Sequence, residues 1–305
     1  MGYINPAWSR CLIRFREVQD YIDKSASVAP LGDGRYRAEL YGTWVLTAYA
    51  ACEYSLNEIG RACVEFIGVR ASTPNKLPEE VQRKHLHLTL EAVRRSLASN
   101  GSLVDVDSAL QKIRSAQRAA YSNLMKIDRN VWPHVVREWL SRLGLTKNDL
   151  TWMEQAIPGK TETYSSRMAA LVEERNPIAH GVAPSQIRSS SVMKDWVQDC
   201  QNFVEKCAMS ITEKLVVEYQ PRLLKVGYLD KRTQLGASTL ALSSCMQSIE
   251  VNDHVVLKSA SSVKAARIVS LMSNGSFLNS ALRGMKQVSV GLSKKHSGSN
   301  LYIAP

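Results

Sequence analysis

The sequence predicts a mainly α protein: a helical bundle over residues 1–221, followed by a small basic β-rich domain, a barrel or sheet, over 222–305. Three observations carry this. Apolar residues recur at steps of three and four through most of the first 220 residues. Pro221 stops the last such run. Beyond it the chain turns Ser-rich, lacks Trp, and breaks into short β-type runs between Asn-Asp, Ser-Asn-Gly and Ser-Gly-Ser turns.

Taken in order, Pro6–Lys24 forms a first helix with Trp8, Leu12, Phe15, Gln19 and Ile22 on one face. Ser25–Arg37, with Pro30, Gly32 and Gly34, reads as a loop. A long helix follows over Ala38–Gly68, striped by Trp44, Ala48, Cys52, Leu56, Ile59, Cys63 and Phe66. That stripe leaves Glu53, Asn57 and Arg61 on the opposite flank at steps of four. After the Ser72-Thr73-Pro74-Asn75 break, Pro78-Glu79-Glu80 opens a third helix with acidic residues at its positive end. It carries His85 and His87, which point apart and read as surface histidines. Leu103–Ile127 forms a fourth helix with Lys112, Arg114, Arg118 and Lys126 outward. Trp132–Leu143 and Thr146–Ile157 make two shorter helices, the latter begun by Thr146 with Asp149 three residues on, close to a capping box. Past the Pro158-Gly159-Lys160 turn, Thr163–Glu174 is helical. A closing helix from about Ser185 to Tyr219 is seamed by Trp196, Cys200, Phe203 and Cys207. Strands are expected at Lys225–Leu229, Ile249–Leu257, Ala266–Met272, Gln287–Leu292 and Leu301–Ile303.

The formal charge of +11 favours a polyanionic partner. From Arg222 onward 11 Lys and Arg face three Asp and Glu, so the tail holds +8 of that excess. Lys225, Lys231, Arg232, Lys294 and Lys295 are therefore candidate contacts for a polyanion such as RNA, although few aromatic residues accompany them for base stacking. No apolar run reaches the roughly 18 residues of a membrane span, and Met1–Pro6 is not a signal peptide, so no membrane partner and a cytoplasmic location are expected. Six cysteines form no C-x-x-C and keep no metal spacing with histidine; they read as core residues, and no metal or cofactor is expected.

Chemistry concentrates at Leu171–Gly181. Here Arg175 and His180 flank Asn176-Pro177, with Pro177 expected to push Asn176 out of the helix and Gly181 to turn the chain again. Arginine is a permanent fork for phosphate oxygens, and histidine exchanges protons near neutrality. A second pair, Arg129 and His134, has the same spacing and the same Asn after the Arg. It lies instead at the entry of a new helix, with Pro133 as the start signal, and reads as a helix entry with a surface histidine.

The run Arg-Asn-Pro-Ile-Ala-His-Gly at 175–181 resembles the R-x4-6-H signature of the HEPN superfamily, in the RN-x-x-AHG form typical of ribonucleases from toxin–antitoxin and abortive-infection systems. The resemblance covers roughly residues 1–220. It implies a helical bundle and a homodimer that cleaves RNA without metal. Arg175 and His180 would be catalytic, Asn176 supporting, and Glu53 a polar residue supplied from an early helix. Each chain offers one base and one cation, so two copies facing across a two-fold axis would supply base, acid and both guanidiniums, leaving 2′,3′-cyclic phosphate ends. An antitoxin or a sensor protein would restrain such an enzyme. The alternative is a catalytically silent HEPN-type module binding RNA, a nucleotide or a protein.

Overall fold

The computed structural model describes residues 3–28, 34–71, 73–98, 107–108, 111, 121–221, 223–229, 238–259, 262–295 and 300–304. The chain divides into two compact units: Arg10–Cys207, and Met1–Ser9 together with Ala208–Pro305. Among the described residues there are six α-helices: α1 (Ile4–Val28), α2 (Gly34–Arg70), α3 (Glu79–Ala98), α4 (Pro133–Ser141), α5 (Tyr164–Ala179) and α6 (Ser190–Tyr219). Helices thus precede a β-rich region, as the sequence predicts. No described helix is long and apolar enough to cross a membrane.

In the larger unit α2 is the central element. Every residue of its predicted stripe is buried, and so are Tyr41, Val45, Tyr49, Ser55, Ala62 and Ile67. A helix covered on so much of its surface is packed on more than one side, so Glu53 and Asn57, expected on a free flank, are half-buried. The six cysteines are free and buried, consistent with their reading as core residues.

Four local expectations are corrected. The first helix continues to Val28 and the second starts at Gly34, so the expected Ser25–Arg37 loop is shorter. Ser25 hydrogen-bonds the Tyr21 carbonyl at 2.6 Å within α1 and accepts the Trp44 indole N–H at 2.9 Å, tying α1 to α2. Of the expected Leu103–Ile127 helix, residues 103–106, 109–110 and 112–120 lie outside the described residues. Its end is a series of turns, anchored where Tyr121 donates to the Ala71 carbonyl at 3.0 Å. The expected Thr146–Ile157 helix is a tight turn followed by a 3-10 segment, Thr151–Glu154. Asp149 takes the Thr146 amide at 2.7 Å and its hydroxyl at 2.8 Å, while Ile157 pairs back to Glu162 at 2.9 Å, so the chain closes into a hairpin-like turn. Finally, His85 is buried, its ring 5.0 Å from that of Tyr121; only His87 lies on the surface.

The β-rich unit contains β1 (Gly227–Leu229), β2 (Thr239–Cys245), β3 (Ile249–Glu250), β4 (His254–Lys258), β5 (Val263–Ser273), β6 (Ser276–Leu278), β7 (Ser280–Ala281), β8 (Lys286–Leu292) and β9 (Asn300–Ile303). All pairings are antiparallel, in the order β1-β2-β8-β5-β4-β9, with β6 on β5 and a separate β3-β7 pair. The Val226 amide bonds the Leu301 carbonyl and the Ile303 amide bonds the Leu224 carbonyl, each at 2.9 Å, which brings the two sheet edges together into a nearly closed sheet. Closure of this kind removes exposed edges. Asn274 and Gly275 both take positive φ, the two-residue turn that an Asn-Gly pair favours. The run expected at Ile249–Leu257 is two strands, because Asn252, at φ 79°, turns between them.

His254 is fully buried in this unit and stacks on Trp8 at 5.1 Å, 18° from parallel. Asn5 bonds both its backbone amide and its carbonyl, whereas neither ring nitrogen has a described partner. Burial, helped by the nearby positive charges of Arg267 and Lys294, pushes the His254 pKa down to about 3.

Between about pH 6.5 and about 3 the unfolded chain therefore binds a proton at His254 that the folded unit excludes, so stability falls as pH drops through that window. Replacing His254 with Phe, which keeps the stacked ring, should flatten this acid dependence in urea unfolding at pH 7 and pH 4.5. An unchanged pH slope would contradict the assignment. In the larger unit, a methyl on Gly60 would lie 2.7 Å from the Met125 carbonyl oxygen and 3.1 Å from the Trp139 ring. Gly60→Ala should lower the melting temperature, because overpacking costs about 1–3 kcal/mol and outweighs the roughly 1 kcal/mol of helix propensity it gains.

Candidate active site

The helix that carries the motif begins at a capping box in which the Thr163 hydroxyl accepts the Ser166 amide at 3.0 Å and the Ser166 hydroxyl accepts the Thr163 amide at 2.9 Å. A charge cluster then fixes its entry. Lys160 reaches Asp195 at 2.6 Å and the buried Asp199 at 2.7 Å, and Arg167 reaches Asp199 at 2.9 Å. Burial pushes the Asp199 carboxyl up, against the opposing pull of Lys160 and Arg167. This cluster joins the start of α5 to α6.

Pro177 does not break the helix, contrary to the expectation from sequence. It sits inside α5, which runs on to Ala179, so Asn176 is helical. Proline forfeits only the amide that would have bonded the Glu173 carbonyl, and here it falls in the last turn, whose end is secured otherwise. The Gly181 amide bonds the Ile178 carbonyl and the Val182 amide bonds the Pro177 carbonyl, each at 3.0 Å, with Gly181 at φ 80°. This is the Schellman pattern, and the glycine expected to turn the chain does so. His180 caps the helix at φ −98° and is exposed.

The last turn of α5 lies close on α2: a Cβ at Gly42 would meet Ile178 at 3.3 Å. Arg175 is half-buried with its guanidinium 4.7 Å from the Tyr49 ring centroid, a cation–π contact. It also donates to the Asn176 side-chain oxygen at 3.2 Å, which in turn accepts the Asn130 amide at 3.1 Å. Tyr49 closes the circuit, donating to the Asn130 oxygen at 3.3 Å and accepting the Val131 amide at 3.2 Å. Burial raises the Tyr49 phenol, which stays protonated and donating at neutral pH.

Charge separates the two Arg–His pairs. Arg129 is ion-paired with Glu138 at 2.6 Å, and His134 lies over Trp132 with ring centroids 6.4 Å apart. Arg175 has a ring and an amide as partners, and among the described residues no carboxylate pairs with it. Its Nε is buried without a described partner. An arginine held by neutral groups keeps its charge for an anion.

Glu53 lies one turn beyond Tyr49 on α2, half-buried and outside every ion pair among the described residues. Asn57 caps neighbouring backbone, donating to the Glu53 carbonyl at 3.1 Å and accepting the Ile127 amide at 3.4 Å. Sequence reasoning missed Tyr49 and Asn130. Tyr49 stands four residues before Glu53, on the same flank, and that spacing was the available signal. Glu174 faces the basic Arg188 at 3.9 Å.

The basic residues named in the tail are dispersed. Lys225 stacks over Tyr228 at 5.1 Å, Lys294 is ion-paired with Glu213 at 2.9 Å, and Lys295 is exposed. Lys231 and Arg232 lie outside the described residues.

Replacing Tyr49 with Phe keeps the ring under Arg175 but strands the Val131 amide, which is buried. The expected cost is about 1–3 kcal/mol in denaturant unfolding. An unchanged midpoint would mean that the hydroxyl holds nothing.

Residues 9–213 match the family model RiboL-PSP-HEPN. No curated protein and no solved structure matches the chain. The family match spans α2, α5 and the Arg175–Gly181 run, and with two thirds of the sequence inside it the chain belongs to the RiboL-PSP-HEPN family.

Proposed function

We propose that this chain is a metal-independent endoribonuclease whose active site is composed by two copies. The observation that carries the reading is Arg175, a guanidinium fixed by neutral groups, on the same helix end as the exposed His180. RNA contributes its own nucleophile, so a base, an acid and a cation complete the chemistry. His180 takes the proton of the 2′-hydroxyl as its oxygen attacks phosphorus. The Arg175 guanidiniums of both copies balance the charge that builds on the phosphoryl oxygens. His180 of the partner subunit gives a proton to the departing 5′-oxygen. The products are a 2′,3′-cyclic phosphate and a 5′-hydroxyl. Asn176 orients Arg175, and Glu53 lies one turn from Tyr49 as the polar group of the early helix. Exposed Val182 and Ile187, just past His180, suit a face that a second copy covers.

In this reading the enzyme is a cytoplasmic toxin or antiphage effector, held in check by an antitoxin or a sensor protein, and exposed tail lysines such as Lys295 help hold RNA. One observation favours a second reading, a silent RNA- or protein-binding module: among the described residues no side chain hydrogen-bonds the His180 imidazole to set its tautomer.

Incubating wild type, Arg175→Ala, His180→Ala and His134→Ala with total RNA in excess EDTA separates the two. The enzyme reading predicts cleavage by wild type and His134→Ala, and at least roughly a hundred-fold loss in the other two. Folded, dimeric wild type that binds RNA without cutting it would favour the binding module.

A further inference from the structure

A cleft of about 680 Å³ opens in the larger unit between α3 and the segment that leads into α4. Its size is that of a small-molecule or nucleotide site. Among the described residues five lysines and arginines and three carboxylates line it, an excess that an anion would offset. The carboxylates are already committed. Asp128 pairs with Arg95 at 2.9 Å, Glu138 with Arg129 at 2.6 Å and with Arg142 at 3.7 Å, and Glu91 with Arg95 at 3.5 Å. Arg95 holds the Asp128 carboxyl, and Arg129 the Glu138 carboxyl, below the usual range, so both stay ionised. Lys84 and Lys126 are exposed at the cleft and among the described residues neither is ion-paired; the charge of Lys84 helps hold the Glu138 carboxyl down from a distance.

Arg142 gives the site a built floor. Its side chain is 9% exposed and donates to the Lys126 carbonyl at 2.9 Å and the Leu124 carbonyl at 3.4 Å. A permanent cation held this deep interacts with an anion more strongly than a surface lysine does, because less water screens it. Leu88 and Ala92 add an apolar strip that suits a sugar or base edge. The two lysines outside any ion pair, beside arginines that already hold the cleft's carboxylates, leave a net positive lining that suits the several oxygens of a phosphate.

We propose that this cleft is a phosphate-binding site for a polynucleotide strand. It lies one residue from the motif network, since Arg129 lines the cleft and Asn130 bonds Asn176. A strand seated there would reach the Arg175 side of the molecule along the Arg129–Asn130 backbone. The site does not depend on Arg175 or His180 acting on RNA.

The test uses full-length protein carrying His180→Ala, so that nothing is cut, and the fluorescence anisotropy of a labelled single-stranded RNA of about twelve nucleotides. Adding Lys84→Glu and Lys126→Glu should weaken binding at least roughly ten-fold and reduce the salt slope by about two. Lys147→Glu, an exposed control away from the cleft, should change it less than about two-fold. A parallel arm titrates ATP. Displacement of the RNA by ATP only when both lysines are intact identifies a free nucleotide as the source of the phosphate, and failure of ATP to displace identifies the strand. RNA and ATP binding that are both unchanged in the double variant, with circular dichroism unaltered, would overturn the proposal. Loss of cleavage in other variants would leave it standing.

Discussion

Everything at the motif depends on how closely the last turn of α5 lies on α2. Gly42 leaves room for Ile178, and two turns along α2 the buried Tyr49 meets Arg175 face-on while its hydroxyl donates to the Asn130 side chain and accepts the Val131 backbone amide. The same contact explains why Pro177 is tolerated. A proline in a free helix end costs a hydrogen bond and crowds the preceding turn. Here the turn is seated on another helix and sealed by Gly181, so the helix persists to Ala179 and carries Asn176 round to the Arg175 side. Tertiary packing thus decides the local conformation.

The two Arg-Asn pairs illustrate how electrostatics, rather than spacing, separates a structural arginine from one available to a ligand. Arg129 is committed to Glu138 and forms part of a cleft wall, whereas Asn130 reaches across to Asn176. Arg175 is held by an aromatic face and an amide, neither of which cancels its charge. One pair supports the other: the segment that mimics the motif in sequence serves as its scaffold in space.

Much of this was legible in the residues. The helical region, the Arg-Asn-Pro-Ile-Ala-His-Gly run and the switch to β structure after Pro221 follow from periodicity, local chemistry and composition. What escaped depends on distant partners. Tyr49 looks like one more aromatic residue in a buried helix until Arg175 and Asn130 arrive from 126 and 81 residues away. His85 on an apparently charged helix is buried because Tyr121 covers it. Strand β2, Thr-Leu-Ala-Leu-Ser-Ser-Cys, has no long branched run, and its place between β1 and β8 comes from pairing alone. Thr146 and Asp149 do bond as a capping box would, yet they close a turn, since Gly144 before them and the Ile157–Glu162 pairing after them redirect the chain.

The central claim is that the chain's own residues, with the 2′-hydroxyl of RNA as nucleophile, suffice for cleavage. It is tested most directly by mapping one cleavage position in a defined RNA in excess EDTA, then offering the same oligonucleotide with a single 2′-deoxy residue on the 5′ side of that bond. The account predicts that the all-ribo strand is cut to a 2′,3′-cyclic phosphate and that the substituted strand survives at that bond. Cutting of the deoxy-substituted bond, or cleavage that needs an added divalent cation, would contradict it.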